Sequence, residues 1–218
     1  MNRVAIFFLV AAYHCIGTAA WGIDGPDVIN RMQKRFEDLV NLSARFEKWH
    51  YWKLVDQTQT LKGKIYVQRP DQFRFETDVQ TVVTDGETAW NYAPRNEQVV
   101  ISRYEMMKAD RSYEKLLFDL VLLGGYSNRY LSRYKFEERV NGKTCYVVEL
   151  TAKQKDTYIF EIILWVDREL WLVRKVKYKN INQDLTTYIF SNMKVDKKAK
   201  KGWFRFNPPK GVDVVDLR

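Results

Sequence analysis

The amino-acid sequence predicts an α+β domain built on one large, curved, antiparallel sheet. Apolar and polar residues alternate with a period of two in roughly ten or eleven short segments, which is typical of antiparallel strands with one buried face. Two further segments have apolar residues at the spacing of amphipathic helices. The chain has 218 residues, 46% of them hydrophobic, and this is enough to form one domain with its own core.

The first 22 residues are predicted to be a secretory signal peptide. A single arginine precedes an apolar run from Val4 to Ile16, and small residues follow it. The run of about 13 residues is shorter than the roughly 18 to 20 that cross a bilayer, and no later run is longer. We therefore expect cleavage near Ala20 or Gly22, a mature domain at 23–218, and export to the periplasm as a soluble monomer.

The cysteines argue against a lipid anchor and against an internal disulfide. Cys15 follows residues 12–14, which are Ala-Tyr-His and match poorly the small residues that lipoprotein processing requires. After cleavage Cys145 is the only cysteine left, so a disulfide within the chain and CxxC redox or zinc sites are excluded. Cys145 is expected to pack as a small apolar residue.

The first helix is predicted to begin near Pro26 and to end near Asn41. Its apolar residues recur every three or four positions, which indicates one buried face. These residues are Val28, Ile29, Met32, Phe36, Leu39 and Val40.

A group of six strands is predicted to follow this helix. Each segment alternates with a period of two, and Asp85-Gly86 marks a hairpin turn between two of them. In chain order the segments are SARFEKWHYWKLV (43–55), TLKGKIYVQ (60–68), QFRFET (72–77), VQTVVT (79–84), TAWNYA (88–93) and EQVVIS (97–102).

A second helix, rich in leucine, is predicted between the two groups of strands and is ended by Gly124-Gly125. Its apolar residues are Tyr113, Leu116, Leu117, Leu120, Val121 and Leu123.

The strand period returns behind this helix, with Asn141-Gly142 as a second hairpin turn. The predicted strands are YKFEERV (134–140), CYVVEL (145–150), TYIFEIILWVD (157–167), WLVRKVKYKN (171–180) and LTTYIFSNMKV (185–195).

The aromatic content favours a sheet that curls into an incomplete barrel. Seven Trp, thirteen Tyr and twelve Phe are more than a plain two-layer sheet needs. A helix inserted in the middle of the meander can cover the open side of such a barrel. The interior is then either a filled core or a ligand cavity, and periodicity does not distinguish the two.

Residues for catalysis are missing from the pattern. The mature chain has one histidine, His50, and no HExxH, HxE or GxSxG motif accompanies it. Glu137 and Glu138 are adjacent on a strand and point to opposite faces, so they do not converge as an acid and a base. We therefore expect a binding protein without catalytic residues, metal or cofactor. The net charge of +9 indicates acidic partners or an anionic membrane surface, and export argues against nucleic acid.

Several motifs resemble the LolA family of periplasmic outer-membrane lipoprotein carriers, along essentially the whole mature chain. The most specific are GKIYVQRPDQFRFE (63–76) and the closing FRFNPPKGVDVVD (204–216), with TDGETAWNYAP and LWVD between them. The resemblance implies an unclosed antiparallel barrel of about 11 strands under an α-helical lid. It also implies a carrier that receives acylated lipoproteins from an inner-membrane lipoprotein-releasing ABC transporter and delivers them to an outer-membrane acceptor.

The resemblance also suggests site residues. Arg69 stands at the position of the family's arginine before proline, which contacts the lid, and a guanidinium there has up to five donors for a covering helix. We expect Arg69 to act as a lid latch; otherwise it is a surface arginine with its stem over the sheet. The residues expected to line the cavity and bind cargo are Phe46, Val67, Phe73, Phe75, Trp90 and Tyr92, with Leu116, Leu117, Leu120 and Leu123 on the lid.

Three other functions remain open from the sequence. One is a membrane-anchored outer-membrane acceptor with the same half-barrel, and another is a LolA-like periplasmic sensor or regulator that binds lipid. The third is an enzyme acting on lipid or cell wall, for which no group of residues was found. Lys48 replaces a glutamine that is common in the family, two residues after the strand-one phenylalanine.

Overall fold

The structure is a computed structural model that describes residues 22–109, 129–154, 159–197, 199 and 202–218. The predicted signal peptide, apart from Gly22, and the predicted leucine-rich helix both lie outside these residues. The four lid leucines at positions 116, 117, 120 and 123 therefore have no described position.

The described elements follow the predicted order of a helix, a strand meander and a second meander. The helices are α1 (Gly25–Asp38) and α2 (Tyr104–Ala109), with a 3₁₀ turn at Pro94–Asn96. The strands are β1 (Asn41–Trp52), β2 (Gln57–Gln68), β3 (Gln72–Thr77), β4 (Thr81–Thr84), β5 (Thr88–Ala93), β6 (Gln98–Arg103), β7 (Tyr130–Val140), β8 (Lys143–Ala152), β9 (Ile159–Asp167), β10 (Val173–Asn180), β11 (Leu185–Val195) and β12 (Asp213–Asp216).

Helix α1 has clear start and stop signals. The Asp24 carboxylate caps it by accepting a hydrogen bond of 2.8 Å from the Asp27 N–H, and Pro26 occupies its first turn. The helix ends at Asp38, because Leu39 is already extended. Its apolar stripe is buried against the sheet through Val28, Ile29, Met32 and Phe36.

All twelve described strands belong to one sheet, in the order β12-β6-β5-β4-β3-β2-β1-β11-β10-β9-β8-β7. The order places β12 and β7 at opposite edges, so the sheet is unclosed. Every neighbouring pair is antiparallel except β12 with β6, which run parallel. The unclosed barrel predicted from the sequence is confirmed, with one parallel pair added to it.

The strand missing from the sequence prediction is β12. Its four residues, Asp-Val-Val-Asp, are too short to show alternation, and its partner β6 precedes it by more than 100 residues. The bounds of β3 and β11 agree with the predicted segments, because each begins and ends beside a turn.

The two faces of the sheet are chemically different. We call the face against which α1 packs the inner face, and it contributes apolar residues from β1–β3 and β8–β11 to the main core. On β8–β11 the outer face is mixed, because β10 carries Lys175, Lys177 and Lys179 there while a small apolar cluster forms around Trp165. On β2–β5 the outer face is instead covered by residues 202–207, through ring contacts of Trp203 with Tyr66 and of Phe206 with Tyr92.

Candidate inner-face binding site

The inner face of β1, β2 and β3 forms a continuous apolar surface. Val67 lies directly opposite Phe73 in the β2–β3 pair, and both are buried. Phe46 on β1 is buried beside them, and Phe75 is half-buried. The structure therefore brings four of the six predicted lining residues together on one face.

Phe46 is the centre of an aromatic row. Its ring stacks on Phe75 with centroids 5.0 Å apart, and the ring of Tyr188 on β11 lies 6.0 Å away on the other side. Gly63 stands opposite Phe46 on β2 and makes room for this arrangement. A Cβ at Gly63 would lie 2.4 Å from the Phe46 ring and equally close to the Glu76 carbonyl, so a larger residue does not fit.

Helix α1 covers the same core from above. Met32 and Phe36 belong to the apolar cluster that includes Phe46 and Phe73. At the N-terminal end of α1, Gly25 approaches the β7 backbone so closely that a Cβ would lie 2.7 Å from the Ser132 carbonyl. Helix α1 is thus an apolar cover packed on the inner face.

Arg69 lies at the end of β2 and contacts this cover. Its guanidinium carbon is 5.6 Å from the centroid of the Phe36 ring on α1. Its backbone N–H donates a hydrogen bond of 3.0 Å to the Val40 carbonyl, just behind the helix. The side chain is otherwise exposed. Because the predicted leucine-rich lid lies outside the described residues, the contact of Arg69 with that lid stays a prediction.

The structure corrects the placement of Trp90 and Tyr92. In the β4–β5 register Trp90 lies opposite Val83, and in the β3–β4 register Val83 lies opposite Arg74. Arg74 alternates with Phe73 and Phe75, so Trp90 is on the outer face, and Tyr92 is there as well. The prediction that all six residues share one surface is therefore wrong for these two.

Polar groups appear on the inner face towards the far end of β1. The Lys48 ammonium lies 5.5 Å from the centroid of the Tyr188 ring. His50 Nδ1 is 2.7 Å from the Thr186 hydroxyl oxygen, so this histidine contacts a neighbouring strand. The apolar surface is thus bounded at this end by a cation and an imidazole.

A buried ion pair fixes the β9–β10 turn beside α1. Asp167 bonds Arg174 and accepts hydrogen bonds of 2.7 and 2.8 Å from the N–H groups of Glu169 and Leu170. Burial opposes its ionisation, but these donors outweigh burial and lower its pKa. The turn presents Trp171, whose ring lies 5.1 Å from the Arg31 guanidinium of α1.

Cys145 is buried on the outer face, in the cluster with Trp165. Burial raises the pKa of its thiol to about 11, so the group is protonated at neutral pH and packs as predicted. Within the described residues, no group of three or more His, Cys, Asp or Glu side chains is arranged to hold a metal ion. None of the described helices has both the length and the apolar character of a membrane span.

Several aromatic residues of the inner face were missed by the sequence prediction. Tyr188 and Phe190 on β11 are buried in the same cluster, and their rings stack with centroids 6.4 Å apart. Tyr104 at the start of α2 contacts Phe73. The period of two in LTTYIFSNMKV predicted that β11 is a strand. It did not predict its partner, because β11 pairs with β1 through residues about 140 positions apart in the sequence.

Comparison with known protein families identifies one match. The family model described as outer membrane lipoprotein carrier protein LolA matches residues 38–207. This range includes every strand except β12 and starts at the last residue of α1.

Similarity to individual proteins is low but extends along the chain. An outer-membrane lipoprotein carrier protein of Legionella pneumophila (strain Lens) is 29% identical, over 99% of this chain and 99% of the relative. The corresponding protein of Aeromonas salmonicida is 24% identical, over 88% of this chain and 90% of the relative. An uncharacterised protein of Methanocaldococcus jannaschii is 23% identical over 97% of this chain, which spans only 59% of that longer protein.

Similarity in structure supports the same architecture. The crystal structure of an uncharacterised conserved protein from Thermus thermophilus superimposes with a TM-score of 0.58, over 88% of this chain and 98% of the other. The two sequences are 12% identical, so the likeness concerns the fold alone.

Proposed function

Because the chain belongs to the LolA family of outer membrane lipoprotein carrier proteins, we propose that it is a periplasmic carrier for acylated lipoproteins. In this role residues 23–218 form the mature, soluble and monomeric carrier domain. It accepts cargo from an inner-membrane lipoprotein-releasing ABC transporter and delivers it to an outer-membrane acceptor, without catalysing a reaction.

The observation that carries this proposal is the apolar inner face under a separate cover. Phe46, Phe73 and Phe75 supply aromatic surface on adjacent strands, and α1 lies over it. Each methylene removed from water contributes roughly 0.8 kcal/mol, so half of a sixteen-carbon chain contributes on the order of 6 kcal/mol. An acyl chain therefore needs such a surface in order to cross an aqueous compartment.

Release requires that the empty, covered state competes with acyl-chain binding. If the inner face gained all of that free energy, the cargo would not leave on a useful timescale. Contacts that exist only when the cover is closed favour the empty state. We propose that Arg69 provides one of them, since its guanidinium contacts Phe36 on α1 at the edge of the inner face.

Photo-crosslinking tests the cargo surface. A photoreactive phenylalanine analogue at Phe75 should crosslink to lipoprotein acyl chains, because Phe75 is half-buried on the inner face. The matched control is the same analogue at Tyr92, which is also half-buried but lies on the outer face. Equal crosslinking at both positions, or none at Phe75, would contradict the proposed binding face.

A two-step transfer assay tests the latch. Arg69→Leu keeps an apolar stem and removes the cation, so lipoprotein loading should be preserved or increased while delivery to the acceptor stalls. Arg45→Leu is the control, because Arg45 is an exposed arginine on the outer face of the adjacent strand β1. Normal delivery by the Arg69 variant, or its failure to load, would exclude Arg69 as the latch.

A further inference from the structure

Two neighbouring turns at one end of the sheet expose large apolar side chains to solvent. In the β1–β2 turn, Leu54 is 96% exposed, Val55 56% and Trp52 37%, and in the β10–β11 turn Ile181 is 58% exposed. We call these four residues the apolar tip. They account for four of the ten large hydrophobic residues that are exposed in the described part of the chain.

The apolar tip is one built unit, because a buried aspartate joins its two turns. Asp184 Oδ1 accepts a hydrogen bond of 3.0 Å from the Lys53 N–H, and its Oδ2 accepts one of 3.0 Å from the Asn180 amide. The Asn180 hydrogen bond and the one from Lys53 lower the pKa of Asp184, so the carboxylate is ionised at neutral pH. The β1–β11 register brings the strands together up to Tyr51 and Leu185.

The β1–β2 turn also projects beyond the neighbouring strand. Residues 57–62 of β2 pair with β1, but β3 pairs only with residues 63–68. Six strand residues span roughly 20 Å. The Leu54 and Val55 side chains are therefore carried well past the edge of β3.

This shape favours insertion into a surface over reception of a ligand. A projecting turn has no concave surface that could bury a partner's side chain. Its own exposed side chains can instead insert into another surface. Trp49 and Tyr51, half-buried on the outer face just behind the tip, add amphipathic rings at the depth where Trp and Tyr are enriched in membrane proteins. The apolar tip with aromatic rings behind it therefore has the order of side chains that suits the interface of a bilayer.

The charges around the apolar tip favour an anionic surface. Its described surroundings contain three carboxylates, which belong to Asp56, Asp184 and Glu161. Basic side chains outnumber them in the same described rim. They are Lys53, Arg129, Lys153, Lys177 and Lys179.

We propose that the apolar tip docks the protein on the surface of an anionic phospholipid bilayer. Leu54, Val55 and Ile181 enter the headgroup region while the surrounding lysines and arginine pair with lipid phosphates. This inference does not rest on the carrier function, because it concerns lipid headgroups outside the sheet and leaves the inner face unoccupied.

Vesicle flotation tests the docking surface with purified mature protein and no lipoprotein. Vesicles of phosphatidylethanolamine with phosphatidylglycerol should carry the protein upward, and vesicles of phosphatidylcholine alone should carry much less. Each methylene that enters the bilayer strengthens binding by about fourfold, so Leu54→Ser with Ile181→Ser should weaken binding at least tenfold. Added salt should weaken wild-type binding further, because charges at a bilayer surface are screened.

A matched pair of valines controls for general hydrophobicity. Val55→Ser should weaken vesicle binding, whereas Val40→Ser should leave it unchanged, because Val40 is 62% exposed at the opposite end of β1. All the substituted side chains are exposed, so thermal unfolding should be unaltered in every variant.

Three results would overturn the proposal. They are equal binding by the tip variants and wild type, no binding to anionic vesicles, and binding that needs an acidic membrane protein in the vesicle. If the wild-type protein binds anionic vesicles but does not load any lipoprotein, the result would instead count against the carrier function alone.

Discussion

The half of the sheet under α1 and the half formed by β2–β5 bury their apolar residues differently. Under α1 the inner face is apolar, and on β10 the outer face carries Lys175, Lys177 and Lys179 in alternate positions. In the β2–β5 half both faces are apolar in part, because residues 202–207 cover the outer face. When only one face of a strand is buried, the alternation of apolar and polar residues shows which face it is. When both faces are buried, the sequence does not distinguish them.

This difference explains which sequence predictions succeeded. In β10 the letters KVKYK (175–179) alternate cleanly, and their inward residues Val176 and Tyr178 are buried. In β4 the adjacent Val82 and Val83 point to opposite faces, and both are at least half-buried. The sequence correctly grouped Trp90 with Tyr92, but it had no signal for their face. Tyr92 is covered by Phe206, which lies more than 100 residues away in the sequence.

The largest expected effect is in the α1-covered half. Phe46→Ala should lower the free energy of unfolding by about 3–5 kcal/mol, because it removes a buried ring between Phe75 and Tyr188. Urea unfolding gives the value. Trp52→Ala, on the same strand but partly exposed, should cost much less, and a comparable loss would mean that the row around Phe46 is not the centre of the core.

A pair of fully buried valines can measure the contribution of residues 202–207 separately from that of α1. Val83→Ala on the outer face and Val148→Ala on the inner face should each cost about 2 kcal/mol in the intact chain. In a chain shortened to end before Gly202, Val83→Ala should cost far less, while Val148→Ala should cost the same. If the shortening leaves the cost at Val83 unchanged, residues 202–207 are not its cover.

Acid should weaken the α1-covered half through Asp196, which fixes the end of that helix. Hydrogen bonds from the Val40 N–H and from Arg35 lower its pKa below the ordinary 3.8. Its stabilising contribution is therefore complete above pH 3.8 and is lost as the pH falls through the lower value of the folded state. The measurement is urea unfolding at a series of pH values, and Asp196→Asn should flatten the acid side of that profile.

Asp216, on the edge strand β12, is the control for this pH dependence. The Arg218 side chain lowers its pKa to about 2, but both groups are exposed and only two residues apart. Such a pair forms in the unfolded chain too, so Asp216→Asn should leave the pH profile nearly unchanged. If Asp216→Asn changes the pH profile of unfolding more than Asp196→Asn does, then Asp196 is not the main source of the acid sensitivity.

The smallest expected effect measures a single contact of the C-terminal cover. The rings of Tyr66 and Trp203 lie 4.4 Å apart, and Arg74 also donates a hydrogen bond of 3.3 Å to the Trp203 carbonyl. A double-mutant cycle with Tyr66→Leu and Trp203→Leu should give a coupling of about 0.5–1.5 kcal/mol. Zero coupling would indicate that the two rings are adjacent without stabilising each other.

The pairing of β1 with β11 sets the order in which the chain can assemble. Strands β1–β6 and β7–β11 are two meanders, each joined by short turns where the structure describes them, and each can form from local contacts. The seam between them pairs Leu42 with Val195, so loop closure over about 150 residues precedes it. Folding should therefore be limited by the meeting of two preformed halves, and fragments divided between β6 and β7 should complement each other when they are mixed.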